Sequence, residues 1–188
     1  RIPPVIYEDA APELREEYLK TAAQHGVVTN MKATLLHSPV ALRAVLTWYD
    51  LFDRVKPVIG NRRAILFCDA ISRANECELC TTFMRRAITK GGESPDQIKL
   101  DEQDRAVVEF GGQLAVDANR VSDALFARLQ SFLTPAQIVD LTTFGALMIV
   151  NNVINSALQV DVDESLKDFR IHPEVAFAQP YVEAESNS

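Results

Sequence analysis

Helix-start signals recur along this chain, and they restrict its fold more than any other feature. Ser38-Pro39 and Thr134-Pro135 each pair an N-cap hydroxyl with a proline in the first turn. Ser122 and Asn75 offer further caps, and Asp101-Glu102-Gln103-Asp104 places acidic residues where a helix dipole favours them. Apolar residues follow at helical spacing: Leu42, Val45, Leu46, Tyr49 and Phe52 after the first signal, and Ala106, Val107, Phe110 and Leu114 after the acidic one. No stretch alternates with the period of two that a half-buried strand requires. Glycine contributes only 7 of 188 residues. The chain therefore reads as all-α, a helical bundle.

The same signals set the expected boundaries. Residues 1–9 read as an extended, proline-containing arm, and Ala10 to His25 as an amphipathic helix stopped by Gly26. A short helix spans Asn30 to Leu36. The helix opened by Ser38 is expected to break at Val55-Lys56-Pro57-Val58-Ile59-Gly60, because a proline inside a helix removes a hydrogen bond. A helix follows from Asn61. Asn75 is expected to cap the next one, from Cys77 to about Thr89, and Lys90 to Pro95 is a loop with at most a short helix after it. The longest apolar helix runs from Thr134 to about Val160, and Asp161 to Asp168 holds one more turn. Residues 1–170 read as a single domain and 171–188 as a loop-like tail.

Composition narrows the functional classes. A net charge of −7 is wrong for a general nucleic-acid binder, which needs a basic face. Arg62-Arg63 and Arg85-Arg86 read as solvated helix faces. The longest uninterrupted apolar run, Phe144 to Val150, is too short to span a bilayer, so no membrane partner is expected. Three cysteines do not make a secreted disulfide framework, and a reducing, cytoplasmic setting with one working dithiol fits them better. No metal or other cofactor is expected. Cys68, His25, His37 and His172 stand at no recognised ligand spacing with the remaining cysteines.

That dithiol is Cys77-Glu78-Leu79-Cys80. Its spacing lets both sulfurs share the start of a helix, where the thiolate is stabilised and its pKa falls from about 8.5 into a range of about 3.5–7.5. One thiolate can then attack a peroxide or disulfide and the other resolve the product. Glu76 and Glu78 oppose the thiolate by charge, unless they face away or relay protons. Cys68, among apolar neighbours, reads as a small buried hydrophobe. Asp69 reads either as a solvated residue or as a carboxylate near the thiols.

The stretch Ala64 to Cys80 resembles the core of the carboxymuconolactone decarboxylase and alkylhydroperoxidase D (AhpD-like) family. Leu36 to Ala44 is similar to that family's upstream helix start, and Phe144 to Val160 to its closing helix. The resemblance implies an all-helical fold and a homo-oligomer: a dimer, trimer or hexamer. It also implies that Cys80 attacks and Cys77 resolves. Redox-active members carry a glutamate at the position of Ile65 and a histidine at that of Met84, so the family's proton relay is missing here. Such a base typically contributes about 10²–10⁴-fold. Asp69, Glu76 and Glu78 are the candidates to replace it.

The expected function is a thiol-dependent oxidoreductase, acting on a small hydroperoxide or a disulfide and recycled by a dithiol reductant. A lyase or isomerase of the decarboxylase kind, and a non-catalytic oligomeric binding protein, are the alternatives.

Overall fold

The computed structural model describes residues 1–171, 177–178 and 180–183. Eight α-helices account for most of these: α1 (Pro12–His25), α2 (Asn30–Leu35), α3 (Pro39–Ile59), α4 (Asn61–Ala74), α5 (Glu78–Lys90), α6 (Glu102–Asp117), α7 (Asp123–Gln130) and α8 (Pro135–Leu158). The expected all-α architecture is thus observed. Most anticipated caps are made. Ser38, Ser122 and Thr134 accept backbone N–H bonds at the starts of α3, α7 and α8. Asp101 and Asp104 form a reciprocal capping box at α6.

Helix α4 is the centre of the bundle, packed against α3, α5, α6 and α8. Its Phe67 is fully buried and stacks between Phe110 of α6 and Phe144 of α8, with ring centroids 6.3 and 5.9 Å away. The ring fits a slot that two glycines leave open. A Cβ on Gly111 or on Gly145 would come within 2.8 Å of it.

Several boundaries differ from the sequence reading. Helix α3 runs through Pro57 to Ile59 and stops only at Gly60, which has φ +85°. Val55 and Ile59 are both buried in the core, and their packing offsets the hydrogen bond that Pro57 cannot donate. The residues after the 90–95 loop form a strand, β1 (Ile98–Leu100), rather than a helix. It pairs in parallel with β2 (Tyr181–Glu183), in what was read as a loop-like tail. Ile98 and Leu100 are buried while Lys99 is exposed, but three residues are too few to display a period of two. Residues 172–176, 179 and 184–188 of that tail, His172 included, lie outside the described residues.

The arginine pairs are not simply solvated. Arg62 bonds Glu93 through two oxygens (2.7 and 2.8 Å) and also Asp104, while Arg63 reaches Asp101 and Asp104. Together they clamp α4 to α6. Arg85 is 7% exposed and paired with Asp96 at 2.7 Å.

Among the described residues, α8 is the one helix long and apolar enough to cross a membrane, a length that counting uninterrupted runs did not register. Ile138, Leu141, Phe144 and Met148 are buried in the common core, as are Asn151, Asn152 and Asn155. One face of α8 thus belongs to the core, while Val139, Val150 and Val153 of the same helix are exposed.

Candidate functional site

The turn between α4 and α5 builds the site. Asn75 closes α4, its N–H donating to the carbonyl of Ile71 at 3.0 Å, so it does not cap α5 as expected. Glu76 takes a left-handed conformation (φ 52°), which is uncommon for a residue with a side chain. The chain thereby delivers Cys77 itself to the N-cap position of α5. The N–H of Cys77 donates to Ser72 at 3.0 Å, and its carbonyl accepts from Thr81 at 2.9 Å. Cys80 lies in the first turn of α5, on the same side of the helix.

The two thiols are free and buried, three positions apart at the start of one helix. Their acidities are driven apart. Cys77 is lowered to about 7, first by the hydrogen bond from the Cys80 thiol. Burial opposes this, and the N–H of Cys80, the hydroxyl of Ser156 and the N–H of Leu79 add to it. Cys80 is pushed well above the usual thiol range by its bond to Cys77 and by burial. The Nδ2 of Asn155 donates to the Cys80 sulfur at 3.2 Å and works the other way. Consecutive residues of α8 thus attend to the two sulfurs, Asn155 to Cys80 and Ser156 to Cys77.

Each sulfur borders a different cavity. Cys80 borders an apolar one of about 90 Å³ lined by Trp48, Tyr49, Phe83, Met84 and Met148. Trp48 Nε1, Asn151 Oδ1 and Asn155 Oδ1 belong to residues of this lining and are buried without hydrogen-bond partners. Lys32 also borders it, its Nζ donating to the carbonyls of His25 and Val27 and lying 5.2 Å from the Tyr49 ring centre. Burial lowers that ammonium from its ordinary value. Cys77 instead borders a polar groove of about 310 Å³, shared with Glu76, Glu78, Ser156 and Arg170. Leu79 and Asn155 line both spaces and so stand between them.

The carboxylates considered as relay groups are distributed unevenly. Glu76 is exposed on the groove, and Glu78 beside it accepts from Arg170 Nε at 2.5 Å. Asp69 is fully buried and turned to another cluster, bonded to Arg73 at 2.7 Å and to the hydroxyl of Tyr181 at 3.1 Å. Burial raises its carboxyl against the pull of Arg73. Cys68 is buried in the core, its thiol pushed up by burial, in keeping with a small hydrophobe. Ile65 packs in the core, and Met84 contributes only apolar wall to the Cys80 cavity. His37, just before the α3 cap Ser38, contacts the carbonyl of Pro3 at 3.0 Å.

Asn155 and Ser156 were missed in the sequence. The available signal was polar residues at helical spacing, Asn151, Asn152 and Asn155, in an otherwise apolar helix.

Solved structures share this arrangement of helices. One is an uncharacterized peroxidase-related protein from Ralstonia eutropha JMP134, described as an alkylhydroperoxidase AhpD core. It has TM-score 0.69 and 19% identity, over 88% of this chain and 95% of that one. Another is an uncharacterized peroxidase-related protein from Silicibacter sp. TM1040, with TM-score 0.72 and 17% identity, over 90% and 97% of the two chains. The chain has the AhpD-like fold. No protein-family model matches it, and no curated protein does. Within the AhpD-like fold, its dithiol thus stands at the head of α5 with an asparagine and a serine of α8 as its polar neighbours.

Proposed function

We propose that this protein is a thiol-dependent oxidoreductase that cycles Cys77 and Cys80 between dithiol and disulfide. The observation that carries this reading is the pair itself: two free sulfurs three positions apart at a helix start, one bordering a polar groove and the other the wall of an apolar cavity. Cys68, buried in the core, borders neither of these cavities. The description of both structural neighbours as peroxidase-related supports the same direction.

The substrate is a small hydroperoxide or a disulfide that fits against Cys80. With a hydroperoxide, the Cys80 sulfur attacks the distal oxygen, the O–O bond breaks, and the alkoxide leaves as alcohol after taking a proton. Cys77 then attacks the sulfenic sulfur of Cys80. The disulfide closes and hydroxide departs, protonated to water. A dithiol reductant returns both electrons by exchange.

The test is direct. Reduced protein is mixed with tert-butyl hydroperoxide or with hydroxyethyl disulfide, and its thiols are counted and mapped by mass spectrometry. A Cys77–Cys80 bond that dithiothreitol reverses is expected, and Cys80→Ser abolishes it. If neither oxidant forms that bond in the wild-type chain, the reading fails.

A further inference from the structure

The oxidoreductase reading leaves one chemical demand unmet. Cys80 must lose its proton to attack, and the leaving alkoxide must gain one. Ile65 and Met84, at the positions where the resemblance implies a glutamate and a histidine, do not titrate.

The geometry points to Cys77 as the proton relay of its own partner, besides being the resolving thiol. This inference rests on the proposed oxidoreductase function. Cys77 stands at the N-cap of α5, three positions before Cys80 and on the same side of the helix, held by its backbone bonds to Ser72 and Thr81. Its sulfur faces Ser156 and the first N–H groups of α5, which stabilise negative charge there. The alternatives around the pair are otherwise engaged. On α4, Cys68 is a buried thiol, and Asp69 is bonded to Arg73 and Tyr181. On α5, Glu78 is paired with Arg170. From α8 come only Asn151, Asn155 and Ser156, which do not titrate near neutrality. On the far side of the apolar cavity, Lys32 is bonded to two carbonyls, Tyr49 is pushed up by burial, and Asp163 accepts from the N–H of Asn30 at 2.8 Å. Glu76 and Asp161 line the groove on the Cys77 side, not the Cys80 cavity.

The steps balance with no further group. The Cys77 thiolate takes the proton of Cys80 as that sulfur attacks the hydroperoxide, giving a Cys80 sulfenic acid, an alkoxide and a Cys77 thiol. The alkoxide takes the proton back from Cys77 and leaves as alcohol. Cys77, again a thiolate, attacks the sulfenic sulfur, and hydroxide leaves, taking a proton from solvent to become water. The dithiol reductant then returns Cys80 as a thiol and Cys77 as a thiolate, which gives that proton back to solvent. Cys77 starts the cycle with the lower thiol pKa of the two, as a base for Cys80 must.

This assignment differs measurably from a purely resolving role. A resolving cysteine acts after the first step, so its removal leaves that step intact. A relay acts during it. The experiment is single-turnover sulfenic acid formation at Cys80 with tert-butyl hydroperoxide, trapped by dimedone and read by mass spectrometry across pH. In the wild type, the rate rises with an inflection near 7. In Cys77→Ala and Cys77→Ser, the expected result is a loss of about 10²–10⁴-fold in that first step, with the inflection gone. Cys77→His regains part of the rate with an inflection near about 6.5. Urea midpoints of each variant check that the fold persists. Undiminished sulfenylation of Cys80 in Cys77→Ala and Cys77→Ser, with the inflection in place, overturns the inference. So does wild-type-rate sulfenylation of Cys77 in Cys80→Ser, because Cys77 would then be the attacking group. A wild-type chain that neither oxidant touches fails earlier, at the oxidoreductase reading itself.

Discussion

At the scale of single residues, the split between the two thiols has a thermodynamic consequence. The Cys77 thiol is depressed in the folded protein from about 9 to about 7. Its contribution to stability is therefore fully present above the unfolded value and is lost as pH falls through 7. Cys80, raised above 9, opposes stability only at still higher pH. Reduced protein should thus gain stability between pH 7 and 9, by at most about 2–3 kcal/mol, since each tenfold gain in acidity on folding is worth about 1.36 kcal/mol. Urea midpoints at the two pH values measure this, and Cys77→Ala should flatten the trend. Asn155→Leu removes the N–H donor from the Cys80 sulfur. A hydrogen bond to a charged group is worth about 1.5–3 kcal/mol, so disulfide formation should slow by about 10–100-fold, read from thiol loss after mixing with peroxide. The thiols were legible in the sequence because they are neighbours along it. Asn155 and Ser156 were not, because their relation to the thiols exists only once α8 packs beside α5. Asp69 illustrates the converse. It follows Cys68 directly, but successive helix residues point about 100° apart, so it faces Arg73 and Tyr181 instead.

At the scale of elements, the sequence carried the starts of helices better than their ends and contacts. Ser38, Asp101, Ser122 and Thr134 act locally, through bonds to N–H groups three residues on, and so could be read directly. Pro57 misled because its local cost is outweighed by the burial of Val55 and Ile59 against distant residues. Asn75 misled because either helix could use it, and the left-handed turn at Glu76 decides the matter. The slot that holds Phe67 is of the same distant kind. Gly111 and Gly145 look like weak points in their helices, since glycine costs about 1 kcal/mol relative to alanine. They are instead where α6 and α8 approach the ring of α4. Gly145→Ala would place a Cβ 2.8 Å from Phe67 Cζ, and the ring cannot retreat toward Gly111, whose Cβ direction it also fills. Overpacking of this kind costs about 1–3 kcal/mol, so Gly145→Ala should destabilise the chain despite its better helix propensity. Phe67→Leu combined with Gly145→Ala should recover part of the loss, which a urea-denaturation double-mutant cycle would measure.

At the scale of the whole molecule, α4 separates two polar centres. On one side, Ser72 supports the N–H of Cys77 from its carbonyl, and the thiols meet α8. On the other, Asp69 and Arg73 form a buried ion pair that the returning end of the chain covers. Tyr181 donates its hydroxyl to Asp69, the carbonyl of Ala178 accepts from Arg73 at 2.8 Å, and β2 pairs with β1. Breaking a buried pair by removing one partner leaves an uncompensated charge and costs about 3–5 kcal/mol. Asp69→Ala should therefore lower the urea midpoint sharply. Tyr181→Phe, which removes only a hydroxyl bonded to the carboxylate, should cost about 1.5–3 kcal/mol. Neither change touches a group that hydrogen-bonds to the Cys77 sulfur. Under conditions where Tyr181→Phe remains folded, iodoacetamide alkylation of Cys77 should keep its inflection near 7. An inflection displaced by more than about half a pH unit would mean that the two centres are coupled through α4. In that case the carboxylate at Asp69 acts on the thiols despite its separate hydrogen bonds.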